Sequence, residues 1–366
     1  MRLKPLAILL IAAVAVTALP ITNYINGKVT AASFESKSDF LKDAFKTDML
    51  VGICNVMLTR LGISTSPKDV IIGKNNWMFL GDWYAGSVSS HRGLLTPSKS
   101  QIEEISKQRQ HWKKFAKSRN SDFYVTVSPN KEDVYDEFLP DWARAGDKKN
   151  FPAIMREEHD DALIYLYDQI LQAKSKYSVP IYYRTDSHWN ELGAWEGYKY
   201  MASRIKLDHP DLVFLTDKDI SIDESGRKPG GDLANFLFMK NLTTDGEPHV
   251  SIANDPVIGV LDIDKNATKY HGPNKRLDAS LTPLIVSSSS ALNDKRVLWL
   301  HDSYGQALSP YMSATFKETY RQHWGPIMQD RAKFEALIDS YKPDLIIVTS
   351  VLRSYLEITL AAKPSP

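Results

Sequence analysis

From residue 98 to 349 the chain alternates two patterns: short apolar runs bounded by polar residues or proline, and longer stretches with apolar positions three or four apart. The short runs predict strands at Phe123 to Val127, Ile181 to Tyr183, Val297 to Leu300 and Leu345 to Thr349. The longer stretches predict helices from Ser98 to about Ser118, Asp160 to about Lys176, Glu191 to about Ile205 and Asp330 to about Tyr341. In the third of these, Leu192, Trp195, Tyr198, Met201 and Ile205 share one side and Asn190 stands as the cap. Alternation of this kind predicts an α/β domain with a mainly parallel sheet. Residues 206–295 depart from it, being rich in Asp, Gly, Ser and Thr with weak periodicity, and are expected to form an irregular β-rich insertion. The domain is read as 67–360, after a helical segment at 28–66. In that segment Phe40, Leu41, Phe45, Met49, Leu50, Ile53, Cys54 and Met57 recur at helical spacing, which predicts that Cys54 is a core thiol.

The N-terminus differs from everything after it. Arg2 and Lys4 precede an apolar run to about Leu19, and no further charge occurs before Lys28. Residues 1–27 therefore read as a signal peptide or an uncleaved signal anchor, and the rest of the chain is expected outside the cytoplasm, in the periplasm or at the cell surface. A single cysteine excludes an intramolecular disulfide.

Composition narrows the partner. The 366 residues are 43% hydrophobic and 24% charged, enough to bury a substantial core. The 45 basic and 44 acidic residues leave a formal charge of +1 with no basic run interleaved with aromatics, so nucleic acid is not the expected ligand. Eight Trp and seventeen Tyr supply faces that stack on sugar rings, although core filling accounts for most of them.

Open α/β sheets place chemistry at the carboxyl ends of their strands. After Ile181 to Tyr183 come Asp186 and His188, in "YYRTDSHWN". After Val297 to Leu300 comes "HDSYG", with Ser303 at the start of a helix-like segment, where free backbone N–H groups favour a developing oxyanion. An orienting acid, a base and a nucleophile are thereby supplied by Asp186, His188 and Ser303. A metal site built from Asp186, His188, His301 and Asp302 has weaker support, since two adjacent pairs on separate loops are a poor signature.

These segments resemble a known family. "TDSHWNELGA" is similar to the Thr-Asp-x-His-Trp-Asn motif of SGNH-hydrolase-like proteins of the alginate O-acetyltransferase type, and "LHDSYGQAL" to their Gly-Asp-Ser-x-Ser block. "VIIGKNNWMFLGD" (Val70 to Asp82) resembles their Gly-Lys-x-Gly-Trp-Leu-Phe segment, and "SPNKEDVYDEFLP" (Ser128 to Pro140) their Pro-x-Lys-x-x-x-Tyr-Pro segment. Four motifs in order, from about residue 70 to 356, are far more specific than any one. The chain departs from the pattern at His301, where the block has Gly, and at Gly305, where it has the second Ser.

The resemblance implies a flavodoxin-like SGNH domain, permuted so that Asp-x-His precedes Ser. It implies an acetyl-serine at Ser303, resolved by a polysaccharide hydroxyl, with no metal or nucleotide cofactor. It further implies a membrane-bound O-acyltransferase partner as acetyl donor, since acetyl-CoA is absent outside the cytoplasm. Gly231 and Asn235 of "PGGDLANFL" stand as the Gly and Asn oxyanion donors of such enzymes, Arg353 and Tyr355 after the last strand as residues facing the same cleft, and Arg321 as a further candidate for acetyl or sugar binding. Two rivals share the motifs: a carbohydrate acetylesterase, with water as acceptor, and a glycan-binding or assembly protein that keeps only the fold.

Overall fold

Strands that are apolar at nearly every position can be buried on both faces, and that is where three of the expected runs lie. The computed structural model describes residues 17–360 except 26, 147, 148 and 159. Its main sheet contains β1 (Asp122–Ser128), β2 (Leu163–Tyr165), β3 (Val257–Asp262), β4 (Ala267–Pro273), β5 (Leu284–Ser288), β6 (Asn293–His301), β7 (Phe316–Gln322) and β8 (Leu345–Val351), in the order 4-3-5-7-6-8-1-2. From β7 to β2 the strands run parallel, with Leu300 beside Val348 and Val348 beside Val125. The strands β5, β3 and β4 extend the sheet antiparallel from β7. Two further two-stranded sheets, Ile220–Asp223 with His249–Ile252 and Arg227–Pro229 with Thr244–Gly246, complete the β-rich character of residues 206–295.

Alternate residues of the parallel strands feed two cores. Tyr124, Val297, Trp299, Leu345 and Ile347 pack with helices α2 (Glu191–Asp208) and α3 (Gly305–Thr315). On the other face Phe123, Val125, Leu298, Leu300, Ile346 and Val348 pack with α1 (Lys99–Lys117) and α4 (Arg331–Tyr341). The result is an α/β/α sandwich, as the alternation of short and long apolar patterns requires. Helix α2 begins where expected: the Asn190 side chain accepts from the N–H groups of Leu192 and Gly193.

Three local expectations are corrected. Ile181 to Tyr183 is not a strand; the chain reverses so tightly that only a Tyr182–Trp189 bridge forms, and β2 holds that edge of the sheet. The expected helix from Asp160 to Lys176 divides, because Leu163 to Tyr165 pairs with Val125 to Val127 as β2 and only Tyr167–Ala173 is helical. The strand β7 was hidden in the sequence by Lys317, Glu318, Arg321 and Gln322, which interrupt its apolar pattern.

The N-terminal pattern is also corrected. Residues 40–57 fall in two helices, Lys37–Ala44 and Asp48–Thr59, and Cys54 is exposed. The face that meets the body carries Gly52, Asn55 and Thr59, with Asn55 Nδ2 donating to the Leu237 carbonyl at 2.8 Å. Gly52 is required there, since a Cβ would lie 2.3 Å from the Phe238 carbonyl oxygen. Close backbone approach, rather than apolar burial, selects the buried face. Residues 1–16 of the expected export segment lie outside the described residues, among which no helix is long and apolar enough to cross a membrane.

A buried histidine makes the fold pH-sensitive on the alkaline side. His91 Nδ1 meets Asp133 Oδ1 and Nε2 meets Asp136 Oδ1, each at 2.8 Å, so both nitrogens donate and the ring is an imidazolium. Burial opposes that charge, but the hydrogen bonds of Asp133 and Asp136 and the charges of Asp133 and Glu132 prevail and raise its pKa to about 9. A raised histidine contributes its stability below pH 6.5 and loses it as pH climbs through 9, a change of roughly 3 kcal/mol. Wild-type Tm should therefore fall more between pH 6.5 and 9.5 than that of His91→Asn; equal slopes would remove His91 as the cause.

Candidate active site

The carboxyl ends of β6, β8 and β1 face one edge of the sandwich, and four separate chain segments meet there. The first is a hairpin in which Val70–Ile72 pairs with Met78–Leu80. The second is the run Asn130 to Asp133 after β1, four polar residues all buried. The third is the Arg184 to Asn190 turn, and the fourth is Asp302 to Gly305, between β6 and α3.

Lys131 joins the first three. Its ammonium donates to the carbonyls of Met78 at 2.6 Å, Arg184 at 2.8 Å and Asp186 at 3.0 Å, and the Met78 N–H returns a bond to the Arg184 carbonyl at 2.9 Å. Burial pushes the Lys131 ammonium down to about 8, against the opposing charges of Asp245, Asp186 and Asp232. It therefore remains largely protonated at neutral pH. Asp245 holds the same turn from another side, accepting from the Thr185 N–H and hydroxyl at 2.6 and 2.7 Å.

The third and fourth segments interlock through aromatics. Trp189 Nε1 donates to the Tyr304 carbonyl at 3.0 Å, and the Tyr304 hydroxyl donates to the Ser187 carbonyl at 2.8 Å. The Tyr304 ring lies 5.2 Å from both the His188 and the Trp189 rings. Asp302 fixes the fourth segment, its carboxylate accepting from Tyr304 N–H at 2.9 Å and Val351 N–H at 2.7 Å.

This framework brings Asp186, His188 and Ser303 together. His188 Nδ1 lies 2.7 Å from Asp186 Oδ1, and Nε2 lies 2.7 Å from Ser303 Oγ. An ionised carboxylate only accepts, so Nδ1 carries the proton and Nε2 presents its lone pair to the serine hydroxyl. Burial would raise the Asp186 carboxyl, but the His188 hydrogen bond, the His188 charge and the Lys228 charge hold it well below the usual carboxylate range. Ser303 and His188 are only half-buried, so the pair opens to solvent. Among the described residues the Ser303 N–H has no hydrogen-bond partner, while Gly305 N–H bonds to the Asp302 carbonyl at 3.1 Å and Gln306 N–H to the Ser303 carbonyl at 3.2 Å.

The remaining sequence candidates fall into different places. Gly231 packs against Asp186, where a Cβ would lie 2.2 Å from the aspartate Cβ, and its N–H is given to Thr185 Oγ1 at 3.0 Å. It positions the acid and has no free donor for an oxyanion. Asn235 is exposed on the short helix Asp232–Phe236. Arg353 borders the site, with its guanidinium 5.4 Å from the Tyr304 ring centre and its N–H donating to Asn130 Oδ1 at 3.2 Å. Tyr355 does not face the cleft: it is buried in the core on the α1 side, where Arg109 donates to its hydroxyl. Arg321 is buried beneath the turn, against His301.

Sequence reasoning missed Asp232. Its carboxylate accepts from Ser187 N–H at 2.7 Å and Ser187 Oγ at 2.6 Å, and lies 3.6 Å from His188 Nδ1. Its signal in the sequence is an acidic residue directly after Gly231, in the first turn of the short helix Asp232–Phe236. Among the described residues, Asp186, His188 and Asp232 are the group of three placed closely enough to share a metal ion. Both His188 nitrogens and the Asp232 carboxylate also have protein hydrogen-bond partners. His301 and Asp302 do not join it; their polar atoms are committed to Arg321, the Ser350 hydroxyl and backbone groups. A cavity of about 700 Å³ lined by Trp77, Phe138, Tyr177, Arg184 and Asp245 lies beside the third segment, but none of Asp186, His188 or Ser303 lines it.

Comparison with solved structures supports the architecture. A DHHW family protein from Eubacterium siraeum matches 83% of this chain and 98% of its own at 15% identity, with a TM-score of 0.57. Bacillus cereus PatB1 with a sulfonyl adduct matches 78% of this chain and 95% of its own, also at 15% identity and a TM-score of 0.57. At such identity the likeness is one of fold. No curated protein matches the chain. The family model described as "SGNH hydrolase-like domain, acetyltransferase AlgX" matches residues 70–256, just over half the chain, running from the hairpin through the Asp186–His188 turn into the insertion. With three of the four converging segments inside that match, the chain belongs to the AlgX family of SGNH hydrolase-like acetyltransferases.

Proposed function

We propose that this acetyltransferase works by double displacement through Ser303, moving acetyl groups to hydroxyls of a polysaccharide outside the cytoplasm. The observation that carries the reading is the hydrogen-bond relay from Asp186 through His188 to Ser303, each link 2.7 Å. As Ser303 Oγ bonds to the acetyl carbonyl carbon, its proton passes to His188 Nε2 and the carbonyl oxygen becomes an oxyanion facing the free Ser303 N–H. Collapse expels the donor's leaving oxygen or sulfur, which takes the proton from His188. A sugar hydroxyl then gives its proton to His188 and attacks the acetyl-serine, and Ser303 leaves with that proton. Asp186 stays ionised throughout and stabilises the imidazolium.

An open, half-buried nucleophile suits an acceptor that is one unit of a long chain. The acetyl donor in this scheme is a membrane-bound O-acyltransferase that passes acetyl groups across the bilayer, and an N-terminal anchor would hold the two together. The test supplies 4-nitrophenyl acetate with a panel of polymannuronate, glucan and amino-sugar oligomers. Mass spectrometry should find acetyl on Ser303, lost faster with one oligomer, which then carries the acetyl group. Free acetate as the sole product, across a panel containing an oligomer known to bind, would identify an esterase instead.

A further inference from the structure

The two departures of "HDSYG" from the family block are one structural exchange. A Cβ on Gly305 would lie 2.5 Å from His301 Cγ and Nδ1, so a side chain at 305 and the imidazole at 301 cannot share this space. Where the family block has a small residue first and a serine last, this chain has the large residue first and none last. The room made at 305 is filled by a fully buried His301.

That imidazole has defined partners. Arg321 Nη2 lies 3.0 Å from His301 Nε2, and His301 Nδ1 lies 2.7 Å from the Asp302 carbonyl oxygen. A guanidinium only donates, so Nε2 accepts, and the remaining proton sits on Nδ1 and is donated to that carbonyl. The Asp302 carbonyl belongs to the same peptide plane as the Ser303 N–H, the backbone donor beside the nucleophile that has no partner among the described residues. Hydrogen bonds accepted at one end of a peptide polarise it and strengthen donation at the other.

Arg321 itself is a buried cation held without a carboxylate. Among the described residues it forms no ion pair; the second N–H of its Nη2 is shared between the Leu277 and Asp278 carbonyls at 3.0 and 3.2 Å, and its Nε and Nη1 have no hydrogen-bond partner. Its face lies 5.2 Å from the Trp299 ring centre. Burial pushes its guanidinium down to about 9, which still leaves it charged at neutral pH. A buried charge is costly, and here only the more distant Asp278 charge offsets that cost, so the group calls for an explanation.

We propose that Arg321 and His301 are positioning residues that form a relay, Arg321 to His301 to the Asp302–Ser303 peptide, which strengthens and aims the Ser303 N–H as an oxyanion donor. The inference rests on the reading of Ser303 as nucleophile. In the tetrahedral intermediate that N–H carries a full negative charge opposite it, so the relay acts on the transition state more than on the bound ester.

The test compares Arg321→Met, His301→Ala and His301→Asn with wild type, using 4-nitrophenyl acetate as substrate and methylboronic acid as a probe that forms a tetrahedral adduct on the serine. Removing one oxyanion donor outright costs about 10²–10³ in kcat, so weakening one should cost about tenfold. Arg321→Met and His301→Ala should lower kcat about that much with KM little changed, and weaken boronate binding by a similar factor. His301→Asn places an amide N–H where Nδ1 stood and should recover most of the loss. A loss of kcat without loss of boronate affinity, or no rescue by Asn, would make the pair merely structural and overturn the relay. If Arg321→Met does not fold, nitrogen NMR of the wild-type His301 ring decides: a proton on Nδ1 with Nε2 bare is required, and the reverse overturns it. Failure of the wild-type protein to acquire acetyl on Ser303 would sink the nucleophile reading, whereas normal adduct formation in every variant would sink only the relay.

Discussion

Ser303→Ala and His188→Ala should each abolish acetyl transfer, with losses approaching those of other serine–histidine units, about 10⁶-fold in kcat, and the double variant should be no worse than either single one. The expectation follows from geometry: Nε2 and Oγ share one hydrogen bond at 2.7 Å, so neither group performs its step without the other. Ser303→Ala removes the atom that carries the acetyl group in the proposed double displacement. His188→Ala leaves a hydroxyl whose proton has no acceptor. Release of 4-nitrophenol in a pre-steady-state burst checks both, because the burst reports acylation alone. Losses that add in the double variant would show that the two residues act separately.

Asp186→Asn should leave the fold intact and lower kcat by between about 10² and 10⁴. The upper figure applies when loss of the acid frees the imidazole to take the wrong tautomer. The lower one applies because Asp232 stands 3.6 Å from the same nitrogen and can accept part of the orienting role. The combined Asp186→Asn and Asp232→Asn change should therefore reach the upper figure; equal activity of the single and double variants would remove Asp232 from this role. Stability gives a second readout. A depressed carboxylate contributes stability above its unfolded pKa and loses it as pH falls through the folded value, so wild type should lose Tm on acidification below about pH 4 that Asp186→Asn does not lose.

Much of this arrangement is legible in the sequence, because motifs that carry chemistry are local. Asp186 and His188 lie two residues apart in a turn, and Ser303 follows the apolar run that becomes β6. The mainly parallel sheet was legible for the same reason: Val297 to Leu300 and Leu345 to Thr349 are apolar enough to need burial on both faces. Other features had no local signature. Tyr355 occupies a helical position whose direction depends on how Leu352–Leu360 docks, and it turns to Arg109 rather than to the cleft. Cys54 lies in an apolar-looking helix, yet the face chosen for burial carries glycine, asparagine and threonine because the backbones touch there. Lys131 stands in a run of four polar residues that would ordinarily be exposed. The three carbonyls gathered around its ammonium, together with the charges of Asp245, Asp186 and Asp232, explain why it is buried.

The way Lys131 and Trp189 stitch distant segments together bears on when the protein becomes reactive. The links that build the site span 53 residues from Lys131 to Met78, 55 from Lys131 to Asp186 and 115 from His188 to Ser303. Contacts so far apart along the chain close late, since the entropy of each loop is lost before the contact repays it. In the proposed mechanism a partly folded chain has its nucleophile, Ser303, on one segment and its base, His188, on another, so acylating power arrives together with the completed fold, after the sheet has brought β6 beside β8.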